Sequence, residues 1–149
     1  MSLQSRVMEQ MKAAMKAKDS VALQSLRAIK SALLLAQTES GSKTVLSEEE
    51  EVKLVQKLVK QRKDSAAIFT EQGRADLAEP ELAEVAVIEQ FLPEQLTEEE
   101  VEKVVVQTIE ATGASGMKDM GKVMGMVSKE LSGQADGKTI STIVKKLLS

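Results

Sequence analysis

Cysteine, histidine, tryptophan and tyrosine are absent from this 149-residue chain, and it has only two phenylalanines and two prolines. Without cysteine there is no disulfide frame and no thiolate metal site. Without histidine the commonest general base and the commonest metal ligand are missing. A Ser–His–Asp or Cys–His site is therefore excluded, and any catalysis would fall to Asp, Glu, Lys or Ser. The usual base-stacking side chains are nearly absent too. No apolar run approaches the ~18 residues of a membrane-spanning helix. The opening Met1–Arg6 stretch lacks the apolar segment of a secretion signal. The expectation is a soluble cytoplasmic protein with no membrane partner, no metal and no cofactor.

Hydrophobic residues make up 42% of the chain, so a core can be built from Leu, Val, Ile, Met and Ala alone. Good helix formers dominate and aromatic strand formers are scarce, which predicts an all-α fold. The net charge of −3 is unevenly spread. Residues 1–40 carry 6 Lys/Arg against 3 Asp/Glu (+3), residues 41–110 carry 8 against 17 (−9), and residues 111–149 carry 6 against 3 (+3). Two basic ends flank an acidic middle, so the whole-chain charge says little about partners.

The apolar spacing predicts a first helix over 3–17 facing inward through Val7, Met11 and Met15. Asp19 is the expected N-cap of a second helix carrying Ala22, Leu26, Ile29 and Leu33. Thr38 to Val45 reads as a loop. Ser47 and Glu50 form a capping box for a long third helix with Val52, Val55, Val59 and Phe69. Gln72-Gly73-Arg74 breaks it. A fourth helix bears Leu82, Val85, Ile88 and Leu92, with Pro80 expected near its start. Pro93 and the Thr97 capping box mark a boundary. The predicted organisation is a bundle of about four helices at 1–92, a linker at 93–97 and a three-helix domain at 98–149. Its helices are placed at 98–111, 117–131 and 137–148, with Ser115 and Asp136 as N-caps of the last two.

The last two helices concentrate lysines. On a helical wheel of 117–131, Met120, Val123, Met124, Val127 and Leu131 cluster on one side. Lys118, Lys122 and Lys129 lie opposite, with Gly121 and Gly125 beside them. The last helix repeats the pattern: Ile140, Ile143, Val144 and Leu147 inward, Lys138, Lys145 and Lys146 outward. Each interior glycine costs about 1 kcal/mol relative to alanine. Two explanations stand open: tight helix–helix packing, or close approach of a phosphate backbone that the lysines neutralise. Lysines opposite an apolar stripe are also what an ordinary solvated face looks like. Met117, Met120, Met124 and Met126 read either as an adaptable partner surface or as core filler.

Other features have structural readings. Gly116–Lys122 matches the first seven positions of a phosphate-binding loop, but Val123 stands where Ser or Thr must hold Mg²⁺. Gly133–Thr139 is one residue short, and neither run follows a strand. Lys53, Lys57 and Lys60 belong to a salt-bridged face, with Glu49 placed to pair Lys53. The glutamates at 48–51 and 98–100 suit the positive ends of helices. Arg62 falls on the apolar side of the third helix and needs a partner, with Asp76 or Glu81 expected.

Taken together, Lys60-Gln-Arg-Lys-Asp-Ser65, Gly73-Arg-Ala-Asp-Leu77, Glu81, Phe91-Leu-Pro-Glu-Gln-Leu96, Asp119-Met-Gly-Lys-Val-Met-Gly125 and Ala135-Asp-Gly-Lys138 resemble the GatB/YqeY family, in order and over essentially the whole chain. Pro80 departs from the resemblance, a charged residue being usual there. The resemblance implies a two-lobed all-helical protein. It is similar to the tail of the GatB-type subunit in the glutamine-dependent amidotransferase that amidates Glu-tRNA(Gln) or Asp-tRNA(Asn). In that enzyme the tail grips tRNA, and the chemistry belongs to an ATP-using cradle and a separate amidase, neither of which this chain has room for. The implied role is non-catalytic tRNA binding, with no catalytic residue here. The tail motif implies RNA contact at Lys118, which immediately precedes it, and at Lys122, Gly125 and Lys138, while Lys129, Lys145 and Lys146 come from the wheel alone. Two other roles follow: an accessory component of a carbon–nitrogen ligase with glutamine as amido donor, working with amidotransferase subunits, or a helical protein-interaction module.

Overall fold

The computed structural model describes residues 2–39 and 46–149. Among the described residues there are seven α-helices and no strand, so the protein is all-α. The chain divides into two compact units, Met1–Leu92 and Pro93–Ser149.

The first unit holds α1 (Leu3–Ala17), α2 (Ser20–Glu39), α3 (Glu48–Glu71) and α4 (Ala75–Ile88), followed by a 3₁₀ turn at Glu89–Phe91. Helix ends are set by short polar side chains. The Ser2 hydroxyl accepts from the Ser5 amide, Asp19 Oδ1 accepts from the Ala22 amide, and Ser47 and Glu50 complete a capping box. Glu51, in the acidic first turn of α3, accepts the Leu3 amide at 2.9 Å and so ties the start of α1 to α3. The core gathers Leu3, Val7, Ala14, Leu26, Ile29, Leu33, Val55, Val59, Val85, Ile88 and Phe91. Arg6 lies over the Phe91 ring at 5.6 Å.

Several expectations change here. Met15 is 54% exposed, because the inward stripe of α1 continues to Ala14, seven residues after Val7, rather than eight. Leu82 is also exposed, since α4 turns Ala78, Glu81, Val85 and Ile88 inward. Leu92 lies beyond the end of α4. Pro80 is the sixth residue of α4 rather than near its start, because α4 begins directly after the turn that ends α3. In that turn Gly73 adopts φ +73°, the Gly73 amide donates to Thr70 O and the Arg74 amide to Phe69 O. Helix α2 runs through Thr38, whose hydroxyl donates to Leu34 O and Leu35 O. The rest of the expected loop, 40–45, lies outside the described residues.

Arg62 pairs with Glu84 (3.8 Å), not with Asp76 or Glu81. In the α3–α4 hairpin Arg62 and Glu84 are equally far from Gly73, which places them side by side, while Asp76 is held by Arg74 across two hydrogen bonds of 3.1 and 3.0 Å. Both Arg62 and Glu84 are largely buried. The arginine also donates to Leu58 O.

The second unit holds α5 (Glu98–Thr112), α6 (Met120–Glu130) and α7 (Gly137–Leu148). Thr97 and Glu100 form the second capping box. The core is Val101, Val105, Val123, Val127, Leu131, Ala135, Ile140, Val144 and Leu148. Gln95 donates to Gly133 O at 2.6 Å and the Leu96 amide to Gln134 O at 2.9 Å, so residues 95 and 96 are fastened to this unit.

Candidate nucleic-acid interface

The site is built on the α6–α7 hairpin. Gly113 closes α5 in the left-handed conformation at φ +67°. Gly116 has φ +96° and ψ 175°, a region almost closed to residues with a Cβ. The chain then turns through a 3₁₀ segment, Met117–Asp119, before α6 begins. Ser115 is therefore not the cap of α6. Its amide donates to Asp119 Oδ2 at 2.9 Å, while the Asp119 amide donates to Gly116 O. The helix expected over 117–131 is α-helical over 120–130 for this reason.

Val123 and Val127 are fully buried, and Met120 and Met124 pack against them. The opposite side of α6 presents Gly121, Lys122, Gly125 and Lys129, all exposed. A Cβ added at Gly121 or Gly125 would meet nothing within 4 Å. Of the two explanations left open, tight helix packing is therefore not what these glycines serve among the described residues. The methionines divide: Met120 and Met124 fill the core, whereas Met117 and Met126 are exposed.

Helix α7 is capped by Asp136, whose Oδ1 accepts the Thr139 amide at 2.6 Å. Ile140, Val144 and Leu148 are buried, with Ile143 and Leu147 packed beside them. Lys138, Lys145 and Lys146 are exposed, the last two in the final turn where the helix dipole favours cations. Helices α6 and α7 pack together, joined by residues 131–136, and α7 also touches the 117–119 turn. Lys129 and Lys138 lie on either side of the 131–136 connection. Lys118 lies in the 117–119 turn that α7 touches.

None of these six lysines forms an ion pair with an acid among the described residues. Asp119 and Asp136 use carboxylate oxygens on backbone amides. Lys122 stands in the first turn of α6, which has no acid and no side-chain cap. A cation there opposes the helix dipole. Gly121 and Gly125 lie open on one flank of the exposed lysines of α6.

Neither phosphate-loop-like run follows a strand among the described residues. Gly133 is buried at φ +80° and its carbonyl is taken by Gln95. No group of three or more acids able to hold a metal occurs among the described residues, and no helix among them is long and apolar enough to cross a membrane. The sequence reading missed Glu84 as the partner of Arg62 and missed Lys18, the one residue other than glycine with positive φ among those described. The equal spacing from Gly73 was a usable signal for the first; the second had none.

A family model described as Yqey-like protein matches residues 4–148. The chain belongs to the YqeY-like family. A 71-residue stretch, 45% of this YqeY-like chain, is 44% identical to a glutamyl-tRNA(Gln) amidotransferase subunit of Thermococcus gammatolerans. That stretch spans only 11% of the Thermococcus protein. Altered inheritance of mitochondria protein 41, mitochondrial, of Pyrenophora tritici-repentis is 28% identical over 146 residues, covering 96% of the YqeY-like chain and 79% of the Pyrenophora protein.

Proposed function

We propose that this YqeY-like protein is a non-catalytic, cytoplasmic tRNA-binding module. Residues 98–149 act as an amidotransferase-tail-like gripping domain, joined through 93–97 to a helical domain at 1–92. Lys118, Lys122, Lys129, Lys138, Lys145 and Lys146 neutralise phosphates, and Gly125 lets the RNA backbone approach α6. The carrying observation is that Gly121 and Gly125 open onto free space beside lysines that have no acid partners among the described residues. A helix that keeps two destabilising glycines with no internal contact to serve has an external reason for them. The similarity to an amidotransferase subunit whose name contains a tRNA points to the same class of polyanion.

With no tryptophan or tyrosine, recognition rests on shape and backbone charge. Binding of total tRNA is then expected to follow salt with a log–log slope of about −3 or steeper. Replacing Lys118, Lys122 and Lys138 by alanine weakens binding and flattens that slope with little loss of stability. Unchanged affinity in the triple variant would remove these lysines from the site.

A second reading has the amidotransferase similarity in its favour: an accessory role in tRNA-dependent transamidation alongside amidotransferase subunits. Its mark is a changed transamidation rate when the protein is added to those subunits; an unchanged rate counts against it.

A further inference from the structure

We infer that the outer face of α1, with the turn that ends it, is a second contact surface for the tRNA backbone, separate from α6–α7. The carrying observation is Lys18, with φ +55°. Its amide donates to Met15 O and the Asp19 amide to Ala14 O, the same pair of bonds that closes α3 at Gly73. The other positive-φ residues described are all glycines: Gly73, Gly113, Gly116 and Gly133. The chain uses glycine wherever its described backbone enters this region, and departs from that only where it places a lysine. Strain that the geometry does not require points to a use for the side chain.

Lys18 has company. Lys12 and Lys16, one turn apart, are exposed on the outer side of α1, flanked by the exposed Met8 and Met15. None of the three lysines pairs with an acid among the described residues. Glu9 is the acid on that face, and Asp19 is occupied in capping α2. A membrane surface is the weaker occupant. Leu3, Val7 and Ala14 are committed to the core, so α1 has no free apolar stripe to bury in lipid. Lysines without acid partners, shouldered by two methionines, match phosphates with sugar and base edges between them.

This inference shares the tRNA assignment of the proposed function but not its residues, so the two fail separately. The test uses the full chain with total tRNA as probe across a salt series. Lys18→Gly relieves the backbone strain, so the variant should melt at a higher temperature yet bind tRNA several-fold more weakly, with a slope shallower by about one. Adding Lys12→Ala and Lys16→Ala should flatten the slope further. A Lys18→Gly protein that melts higher and binds tRNA as the parent does would reduce Lys18 to an unoptimised helix end and overturn the inference. Capture by phosphatidylserine-containing vesicles that depends on these lysines, with tRNA binding unmoved, would overturn it in favour of a membrane. Loss of binding only in the Lys118, Lys122 and Lys138 variant sinks the α1 surface alone. Loss only in the α1 variants sinks the tail face alone. No tRNA binding by the parent protein sinks both.

Discussion

Gly121 and Gly125 weaken the helix that contains them, and their surroundings contain no reason for it. Alanine at Gly125, inside α6, is expected to stabilise the protein by about 1 kcal/mol, seen as a higher denaturant midpoint, and alanine at Gly121, in the first turn, by less. The same change should weaken tRNA binding if the RNA backbone lies against α6. A more stable variant that binds as well as the parent would separate the glycines from function. The positions were legible from sequence, but their direction was not. Whether a helical glycine abuts another helix or solvent depends on how α5 and α7 pack, and the wheel contains only α6. Arg62 shows the same boundary. Its need for a partner followed from an arginine on an apolar face, but the partner, Glu84, depended on the register of the α3–α4 hairpin. Glu84→Gln should cost on the order of 3 kcal/mol, because a largely buried guanidinium loses its countercharge. At the hairpin turn, Arg74 holds the Asp76 carboxyl below its ordinary value of 3.8. Its sign is that of a depressed acid: the contribution is present above the unfolded value and lost as pH falls through the folded one. Both groups are fully exposed, so Asp76→Asn should leave stability at neutral pH nearly unchanged.

Individual helices differ in how firmly their ends are fixed. Capping boxes start α3 and α5, and Asp136 caps α7, whereas α6 begins from a 3₁₀ turn with no side-chain cap. Thr97→Ala should therefore cost about 1 kcal/mol by chemical denaturation, a loss with no counterpart at Ser115, whose side chain caps nothing. Both capping boxes were readable, because the Ser/Thr-x-x-Glu spacing is local and precedes an apolar run. The start of α4 was not. Proline favours first turns, which suggested a start near Pro80, but the glycine turn at 73 launches α4 from Ala75 and leaves Pro80 inside it. Its missing amide deprives the Asp76 carbonyl of a helical donor. Pro80→Ala is accordingly expected to raise stability by about 1 kcal/mol or more.

For the whole molecule, the net charge of −3 hides where the positive charge is usable. Met1–Leu92 has 13 basic against 14 acidic residues and Pro93–Ser149 has 7 against 9, so neither unit is basic overall. The expectation of RNA binding therefore rests on faces and not on totals. In the second unit the acids gather on α5 (Glu98, Glu99, Glu100, Glu102 and Glu110), while α6 and α7 carry five lysines against Glu130. For the proposed tRNA contact, this charge split would turn α6 and α7 toward the polyanion and α5 away from it. The second unit has its own core, and its leading segment is clipped to it by Gln95 and Leu96. A fragment of residues 93–149 is therefore expected to melt cooperatively and to retain tRNA binding through α6–α7. Its salt slope should be shallower than that of the full chain by about 0.9 for each phosphate that α1 contacts. Equal slopes for the fragment and the full chain would confine RNA contact to the second unit. A folded fragment without affinity would move the main contact to the first.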